Sequence, residues 1–428
     1  LDSTALPEQA VRDVVQSAFQ SAGQRCSSLR CLYIQEDVFD RTVKMLSGAM
    51  DELRVGDPWD LSTDVGPVID ADAQRDIADY CAKMEADGRL VKKIDVPFDG
   101  RFVPPSVFRV SGIEELEREV FGPVLHVAPF KAEDLTKVVN NINASGYGLT
   151  AGLHTRIDRR VQEVVDRLEV GNIYVNRNQI GSIVGSQPFG GEKCSGTGPK
   201  AGGPHYLMSF RKPPHEPVHS PAHVDGPLLA REDFARALDQ AAEKQAAWEA
   251  RADRLSVLEE ALSDAPALAR EALTAASAFP QECVLPGPTG ESNRMTVHPR
   301  GTMLCLGPDA ETALAQAAQA LAFGNAAVIA CPDLPDLTAL TKAGAPIAAL
   351  AGRIDPTWLA ELDGFAGVAC AGDEAALCAI RRALSRRHGP ILPLITEVIR
   401  PDRYFHERHL CVDTTAAGGN AALLAQSA

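Results

Sequence analysis

The stretch FQSAGQRCSSLR, residues 19–30, joins a helical pattern to a strand pattern. Upstream of it, apolar residues recur at helical spacing after Pro7, a residue that is favoured in the first turn of a helix, and Gly23 ends the pattern. Downstream, the residues LRCLYI alternate as a β-strand would. Cys26 is therefore predicted to lie in a turn between a helix and a strand.

The surroundings of Cys26 are typical of a reactive thiol. Arg25 precedes it, and a neighbouring cation favours the thiolate, which is the reactive form of cysteine. Backbone N–H groups at such a turn can face a developing oxyanion. On the residues alone the alternative stays open, since a single cysteine after a helix is more often a small packed residue of the core.

Farther along the chain, helical and strand patterns alternate. Helical spacing returns at residues 38–53, 135–144 and 159–168. Strand patterns occur at 118–130, where Gly122-Pro123 interrupts the run, and at 172–176. Strands that alternate with helices predict an α/β fold with a mostly parallel sheet. A Gly-rich loop is expected at 181–203.

Composition narrows the class of protein. A chain of 428 residues predicts two or three domains, and its net charge of −15 argues against a nucleic-acid partner. The ten cysteines form no CxxC pair, and no apolar run is long enough to span a bilayer. The sequence also shows no signal peptide. We therefore expect a cytoplasmic location.

A Pro-rich segment divides the chain. Residues 213–227 lack periodicity and are predicted to form a linker between domains at 1–212 and 228–428. His215, His219 and His223 lie in this region at a spacing of four, which suits a metal site only on a helix. The prolines forbid a helix there, so no metal site is expected.

Segments in a fixed order resemble the motifs of the aldehyde dehydrogenase superfamily. The stretch around Cys26 is similar to its FxxxGQxC signature, Gly66-Pro67 to a Gly-Pro turn, residues 119–123 to its ExFGP motif, and residues 188–191 to its PFGG motif. The resemblance implies that Cys26 is the nucleophile and that NAD is the cofactor. It also implies that Glu119 holds the nicotinamide ribose and that Phe121 packs near the nicotinamide.

A closer resemblance is to the glutamate semialdehyde dehydrogenase module of the proline utilization A family, and SGTGPKAGGP at 195–204 is its most specific part. It implies that L-glutamate γ-semialdehyde, formed from pyrroline-5-carboxylate, is the substrate. A loop at Gly181-Ser182 would anchor its amino-acid end, Ser27 would meet its carboxylate, and Phe189 would line its aliphatic part. The alternatives are an aldehyde dehydrogenase of other specificity and a non-catalytic scaffold.

The resemblance also implies a covalent mechanism and a larger protein. Cys26 would form a hemithioacetal and then a thioester, and its own N–H would contribute to the oxyanion hole. The family's nucleotide-binding domain, general-base Glu and FAD-containing proline dehydrogenase domain would all precede the nucleophile. We therefore expect a fragment that turns over slowly or not at all alone, a homo-oligomer built through residues 202–212, and possible contact of the whole enzyme with the inner membrane.

The second half resembles a copy of the missing Rossmann domain that has lost its ligand contacts. In residues 298–332, Pro308-Asp309 stands where the family has a motif with an oxyanion Asn, and Cys331 replaces a ribose-binding Lys. Residues 365–373 lack close-set glycines, and Val398-Ile399 replaces a Gly-Gly pair. The expectation is a degenerate Rossmann-like lid domain that ends in a strand flap at 411–425; the alternative is a second nucleotide site.

Overall fold

The computed structural model describes residues 1–96, 100–211 and 226–415. They group into two units that interleave along the chain. Unit 1 is Leu1–Gly191, Leu285–Arg294 and His409–Ala428, and unit 2 is Glu192–Val284 and Met295–Arg408. Residues 213–225, with His215, His219 and His223, and residues 416–425 of the predicted flap lie outside the described part of the chain.

The elements of unit 1 alternate as the sequence predicts. Its helices are α1 (Pro7–Phe19), α2 (Glu36–Asp51), α3 (Ala71–Ala86), α4 (Leu135–Ala144) and α5 (Asp158–Val165). Its strands are β1 (Cys31–Gln35), β2 (Leu90–Lys93), β3 (Ser106–Arg109), β4 (Val124–Phe130), β5 (Tyr147–Gly148), β6 (Thr150–Leu153) and β7 (Asn172–Val175).

The elements of unit 2 begin with a strand inside the predicted Gly-rich loop. Its helices are α6 (Arg231–Ala242), α7 (Gln245–Glu249), α8 (Arg254–Ala261), α9 (Ala267–Ser277), α10 (Ala310–Ala322), α11 (Thr338–Lys342) and α12 (Glu374–Leu384). Its strands are β8 (Glu192–Lys193), β11 (Thr302–Cys305), β12 (Ala326–Cys331), β13 (Ile347–Ala351), β14 (Gly367–Ala369) and β15 (Leu394–Ile395). Strands β9 (Glu282–Leu285), β10 (Glu291–Pro299) and β16 (Phe405–Asp413) contribute residues to both units.

Mostly parallel sheets organise unit 1, as predicted. Strand β4 pairs in parallel with β1 and with β3, and β2 closes that four-stranded sheet in antiparallel orientation. The strand predicted at 118–130 begins only at Val124, because Gly122-Pro123 interrupts it. Strand β7 pairs in parallel with β6 and with residues 409–412 of β16. The chain thus returns to unit 1 near its end, and the predicted division at 1–212 and 228–428 stays a prediction.

A five-stranded parallel sheet with the order β13-β12-β11-β14-β15 forms the centre of unit 2. In order of appearance along the chain this is 3-2-1-4-5, which is the order of a Rossmann fold. Helix α10 is buried along its length and consists largely of alanine, so it can pack closely against α9. The predicted Rossmann-like α/β fold of this half is confirmed.

Two aspartates lie just after strands of this sheet, at the edge where Rossmann folds bind their ligands. The strand order reverses between β11 and β14, and nucleotides bind at such a point in Rossmann folds. Asp309 caps the helix after β11 by accepting from Thr312 N at 2.8 Å, and Asp373 caps the helix after β14 by accepting from Ala376 N at 2.8 Å. Carboxylates thus occupy the helix N-termini that would bind phosphate. These contacts favour the degenerate domain over a second nucleotide site.

At the end of β12, Cys331 occupies the position at which the resemblance implies a lysine. Where the family has a ribose-binding Lys, the Cys331 thiol is buried and donates to the carbonyl of Asp333 at 2.9 Å. Burial raises the pKa of Cys331 to about 11. The thiol therefore stays neutral at physiological pH.

The segment that resembles proline utilization A most specifically is built into a buried polar cluster of unit 2. Lys200 is 2% exposed, and its backbone N–H donates to the Glu407 carboxylate at 2.6 Å. Burial lowers the pKa of Lys200 to about 7, although Glu407 and Glu192 oppose the shift. Arg408 binds both carboxylate oxygens of Glu192, at 2.6 and 3.0 Å.

Within the described residues no helix is long and apolar enough to cross a bilayer.

The surroundings of His298, in unit 2, lower the pKa of its imidazole. Its Nε2 lies 2.9 Å from the Thr296 hydroxyl, and its Nδ1 lies 3.5 Å from the Arg408 guanidinium. Burial, aided by Arg408, lowers the pKa of His298 from 6.5 to about 3. The pKa of the neighbouring His406 is also lowered, by burial first and then by Arg300 and other cations.

We predict that the free energy of unfolding falls as the pH falls from 6.5 toward 3. In that window the unfolded chain binds the His298 proton and the folded chain does not, so stability rises with pH. Replacing His298 with Gln is expected to reduce this loss of stability at acid pH (the acid limb), which is measured as melting temperature against pH. The exposed His388 is the matched control. An unchanged limb in His298→Gln would contradict the assignment.

Candidate active site

Cys26 lies exposed in the turn that follows α1. Ser21, Ala22 and Gly23 just before it have φ values of 58°, 53° and 63°. Side chains disfavour this left-handed conformation, at a cost of about 1–2 kcal/mol per residue. Such strain persists only where the surroundings impose it, and it clusters at functional sites.

The backbone of Gly23 touches the segment that resembles the ExFGP motif. A Cβ atom built on Gly23 would lie 2.1 Å from the carbonyl oxygen of Gly122 and 2.9 Å from that of Ala18. Only glycine can fill this position, because it combines a positive φ with the close approach of another backbone. We refer to residues 20–26 as the nucleophile turn, after the predicted role of Cys26. This turn is therefore in direct contact with the segment that carries Glu119 and Phe121.

Gln24 connects the same turn to the Gly-Pro turn. Its side-chain amide donates to the Pro67 carbonyl at 3.3 Å and accepts from the Ile69 N–H at 2.8 Å. An amide can do both at once because it carries a donor and an acceptor. Gly23 and Gln24 are adjacent residues of the FxxxGQxC signature. Gly23 thus contacts the segment that resembles ExFGP, and Gln24 contacts the Gly-Pro turn.

Arg30 holds these segments together. Its guanidinium donates to the carbonyls of Gly23 at 2.7 Å, Gly122 at 3.2 Å and Arg25 at 3.2 Å. It also donates to Glu119 Oε1 at 3.0 Å and lies 5.0 Å from the centre of the Phe121 ring. Burial lowers the pKa of Arg30, and Glu119 opposes that shift. The Arg25 side chain, the cation that the sequence pointed to, donates to the Ser21 hydroxyl at 2.9 Å.

The predicted cofactor residues are accessible. The side chain of Glu119 is 51% exposed, and Phe121 is 45% exposed. An open carboxylate beside an open aromatic ring can accept hydrogen bonds from a sugar diol and pack against a heteroaromatic ring. Within the described residues no cluster of His, Cys, Asp and Glu side chains could hold a metal ion.

The predicted anchor loop is attached to the nucleophile turn through Gln179. The side-chain amide of this buried residue donates to the Ser27 carbonyl at 3.1 Å, and its backbone N–H donates to the Ser17 hydroxyl at 3.2 Å. Ser27 itself is 5% exposed. Gly181 is exposed with a φ of 79°, so the chain turns sharply there.

Ser182 and Phe189 are positioned by residues of β7. The Ser182 hydroxyl lies 2.8 Å from the Tyr174 phenol, which is fully buried. Burial raises the pKa of Tyr174, while the bond to Ser182 lowers it. Asn172 donates to the Pro188 carbonyl at 2.7 Å and accepts from the Gly190 N–H at 3.2 Å, so it fixes the loop on both sides of Phe189, which is half-buried.

This arrangement matches a known family of enzymes. The aldehyde dehydrogenase family model matches residues 1–215, half of the chain. The chain belongs to the aldehyde dehydrogenase family.

One relative is similar to this chain over nearly its whole length, including the second half. The bifunctional protein PutA of Salmonella typhimurium is 42% identical over 444 aligned positions, which cover 99% of this chain and 32% of that protein. A 1-pyrroline-5-carboxylate dehydrogenase of Geobacillus is 39% identical over 211 residues, 49% of this chain and 41% of that enzyme. The chain thus spans about a third of the length of the first relative and less than half of the second.

Solved structures are similar to about half of this chain. A 1-pyrroline-5-carboxylate dehydrogenase from Thermus, solved with bound NAD, is 33% identical over 49% of this chain and 40% of its own, with a TM-score of 0.46.

In this member of the aldehyde dehydrogenase family the structure brings Cys26, Glu119 and Phe121 together through Gly23 and Arg30. Ser27 and the anchor loop are joined through Gln179. Within the described residues no hydrogen bond joins Ser182 to Ser27 directly. The roles of Ser27, Gly181, Ser182, Phe189, Glu119 and Phe121 stay predictions, as does the role of the Cys26 N–H.

Sequence reasoning missed Arg30, Gln179 and Tyr174. Arg30 left a signal, because a charged residue directly before the strand CLYIQ of an otherwise apolar pattern needs a partner. Gln179 and Tyr174 left none, since a polar residue in a loop and a tyrosine in a strand are both ordinary.

We predict that Gly23→Ala destabilises unit 1 well beyond the ~1–2 kcal/mol that a left-handed alanine costs. The added methyl group would meet a backbone carbonyl that has no freedom to move aside. Denaturant unfolding measures the loss. Gly146→Ala is the matched control, because Gly146 has a φ of 78° and open space around it. Equal losses in the two variants would show that the Gly122 contact is unimportant.

Proposed function

We propose that this chain is the catalytic part of an NAD-dependent L-glutamate γ-semialdehyde dehydrogenase. The observation that carries the proposal is the exposed Cys26 in a strained turn locked to Glu119 and Phe121 through Gly23 and Arg30. A nucleophile fixed beside an open carboxylate and an open ring suits attack on an aldehyde next to a nicotinamide.

The names of the relatives support the choice of substrate. Both halves of the chain are similar to the bifunctional protein PutA, and the first half is similar to 1-pyrroline-5-carboxylate dehydrogenases. Pyrroline-5-carboxylate is a cyclic imine that opens with water to an amino acid bearing an aldehyde. The aldehyde is the electrophile that a cysteine thiolate attacks.

Glu119 and Phe121 fit the nicotinamide end of the cofactor. The carboxylate of Glu119 would accept hydrogen bonds from the ribose hydroxyls, and the Phe121 ring would pack near the nicotinamide. NAD would supply a hydride acceptor when bound.

The chemistry proposed for Cys26 is covalent. Its thiolate attacks the aldehyde carbon and forms a C–S bond, so the carbonyl oxygen becomes an alkoxide held by backbone N–H groups. Loss of the carbon-bound hydrogen as hydride restores the C=O bond and leaves a thioester on Cys26. Water then adds to the thioester carbon, the C–S bond breaks, and glutamate and the free thiol are released.

The amino-acid end of the substrate would lie between the anchor loop and Ser27. Backbone N–H groups and hydroxyls can hold a small carboxylate well. Gly181 would supply an exposed backbone amide, Ser182 a hydroxyl, and Phe189 an apolar surface for the methylene carbons.

Unit 2 is proposed to be non-catalytic, since aspartates cap the helix N-termini at its strand-order switch. A lid role follows only from the resemblance. An upstream proline dehydrogenase domain with FAD, a homo-oligomeric state, a cytoplasmic location and peripheral membrane contact belong to the same proposal.

We predict that Cys26→Ala lowers pyrroline-5-carboxylate-dependent NADH formation by at least about a thousandfold, because no other group can form the thioester. The assay uses the intact enzyme that contains this chain. Cys194→Ala, at another exposed cysteine, is the control and should keep normal activity. Retained activity in Cys26→Ala would refute the mechanism. Equal alkylation rates of Cys26 and Cys194 would favour a non-catalytic scaffold.

We predict that Ser182→Ala lowers kcat/KM for glutamate semialdehyde about tenfold and leaves propanal within about twofold, because only the first substrate carries a carboxylate to anchor. Tyr174→Phe should act in the same direction more weakly, since it leaves the Ser182 hydroxyl in place without its partner. Ser186→Ala in the same loop is the control. Equal losses with both aldehydes would favour an aldehyde dehydrogenase of other specificity.

A further inference from the structure

Arg30 makes more contacts than a residue between a turn and a strand needs for folding. Its three guanidinium nitrogens reach the carbonyls of Gly23, Arg25 and Gly122 and one oxygen of Glu119. Carbonyl oxygens that converge on one point repel each other unless a cation lies between them. The side chain thus satisfies backbone groups of both the nucleophile turn and the cofactor-side segment.

The base of this side chain is itself fixed. The backbone carbonyl of Arg30 accepts from the backbone N–H of His126 at 3.0 Å. The same carbonyl lies 2.8 Å from the ring nitrogen Nδ1 of His126. His126 is buried, and its other ring nitrogen lies 2.8 Å from the Tyr80 hydroxyl. The neutral ring can donate with one nitrogen and accept with the other, which satisfies both bonds. Arg30 therefore extends from a rigid point of the strand region.

At its far end Arg30 leaves Glu119 available. It binds Oε1 through Nε at 3.0 Å, and the carboxylate remains half exposed on its other side. A carboxylate has several lone pairs, so Oε2 can still accept from a vicinal diol. The guanidinium also lies over the Phe121 ring at 5.0 Å, which restricts the ring beside the carboxylate.

We propose that Arg30 is a positioning residue that presents Glu119 and Phe121 to the ribose and nicotinamide of the dinucleotide in fixed register with Cys26. This inference rests on the proposed function, because it takes Cys26 as the nucleophile and Glu119 as the ribose ligand. A lysine cannot replace Arg30, since a single ammonium does not reach carbonyls and a carboxylate in one plane as the guanidinium fork does.

The first test measures the nucleophile turn without any turnover. Iodoacetamide labelling of Cys26 in this chain is followed by mass spectrometry in wild type, Arg30→Gln and Arg30→Lys. Both variants are expected to change the Cys26 labelling rate about fivefold or more, because the turn loses the donor to its carbonyls. The control is Arg109→Gln, which removes another arginine that lies over a phenylalanine ring, Phe39, at 4.9 Å and should keep the wild-type rate.

The second test measures dinucleotide binding to the intact enzyme by NADH fluorescence. Arg30→Gln, Arg30→Lys and Glu119→Gln are each expected to weaken binding about tenfold, and the Arg30→Gln/Glu119→Gln double variant no further than either single variant. This non-additivity is specific to a residue that acts through Glu119, and a merely structural role would not produce it.

Three results would overturn the proposal. They are full recovery of labelling and NADH binding in Arg30→Lys, losses that add in the double variant, and an equal effect of Arg109→Gln. Failure of the wild-type enzyme to bind NADH would instead refute the proposed function, and the labelling comparison would still decide whether Arg30 fixes the nucleophile turn.

Discussion

The backbone of Gly23 lies so close to the carbonyl of Gly122 that no side chain fits between them. This contact, completed by the Arg30 guanidinium that binds both carbonyls, holds the strained turn before Cys26 in place. Left-handed Ser21 and Ala22 would relax without it. The open positions of Cys26, Glu119 and Phe121 all depend on the same junction, because each lies within a few residues of it.

Side-chain amides connect the rest of the site to that junction. Gln24 reaches the Gly-Pro turn, Gln179 ties the anchor loop to Ser27, and Asn172 fixes both sides of Phe189. An amide suits this role because it satisfies a carbonyl and an N–H at once without adding charge. These amide contacts add to the Arg30 contacts and supply the rigidity that a positioned nucleophile would require.

Unit 2 keeps a Rossmann-like strand order without the sequence features that hold a nucleotide. Its sheet keeps the 3-2-1-4-5 order, and its core of small residues on α10 is intact. The changes lie at the ligand edge, where Asp309 and Asp373 cap helices that would otherwise bind phosphate, and where Cys331 has no charge to offer. Caps stabilise helices by about 1 kcal/mol each, so Asp309 and Asp373 add to the stability of unit 2.

Local patterns in the sequence are enough to establish the α/β class, the helix that Pro7 begins, the break at Gly122-Pro123, the motif around Cys26 and the lack of close-set glycines at 365–373. These follow from periodicity and from the special backbone needs of Gly and Pro, which act over a few residues. Only the tertiary structure decided that Arg30 unites three carbonyls with Glu119, that Gln179 reaches Ser27, and that β16 returns to pair with β7. Such contacts join residues far apart in the chain, and their partners are chosen by three-dimensional packing, on which local periodicity carries no information.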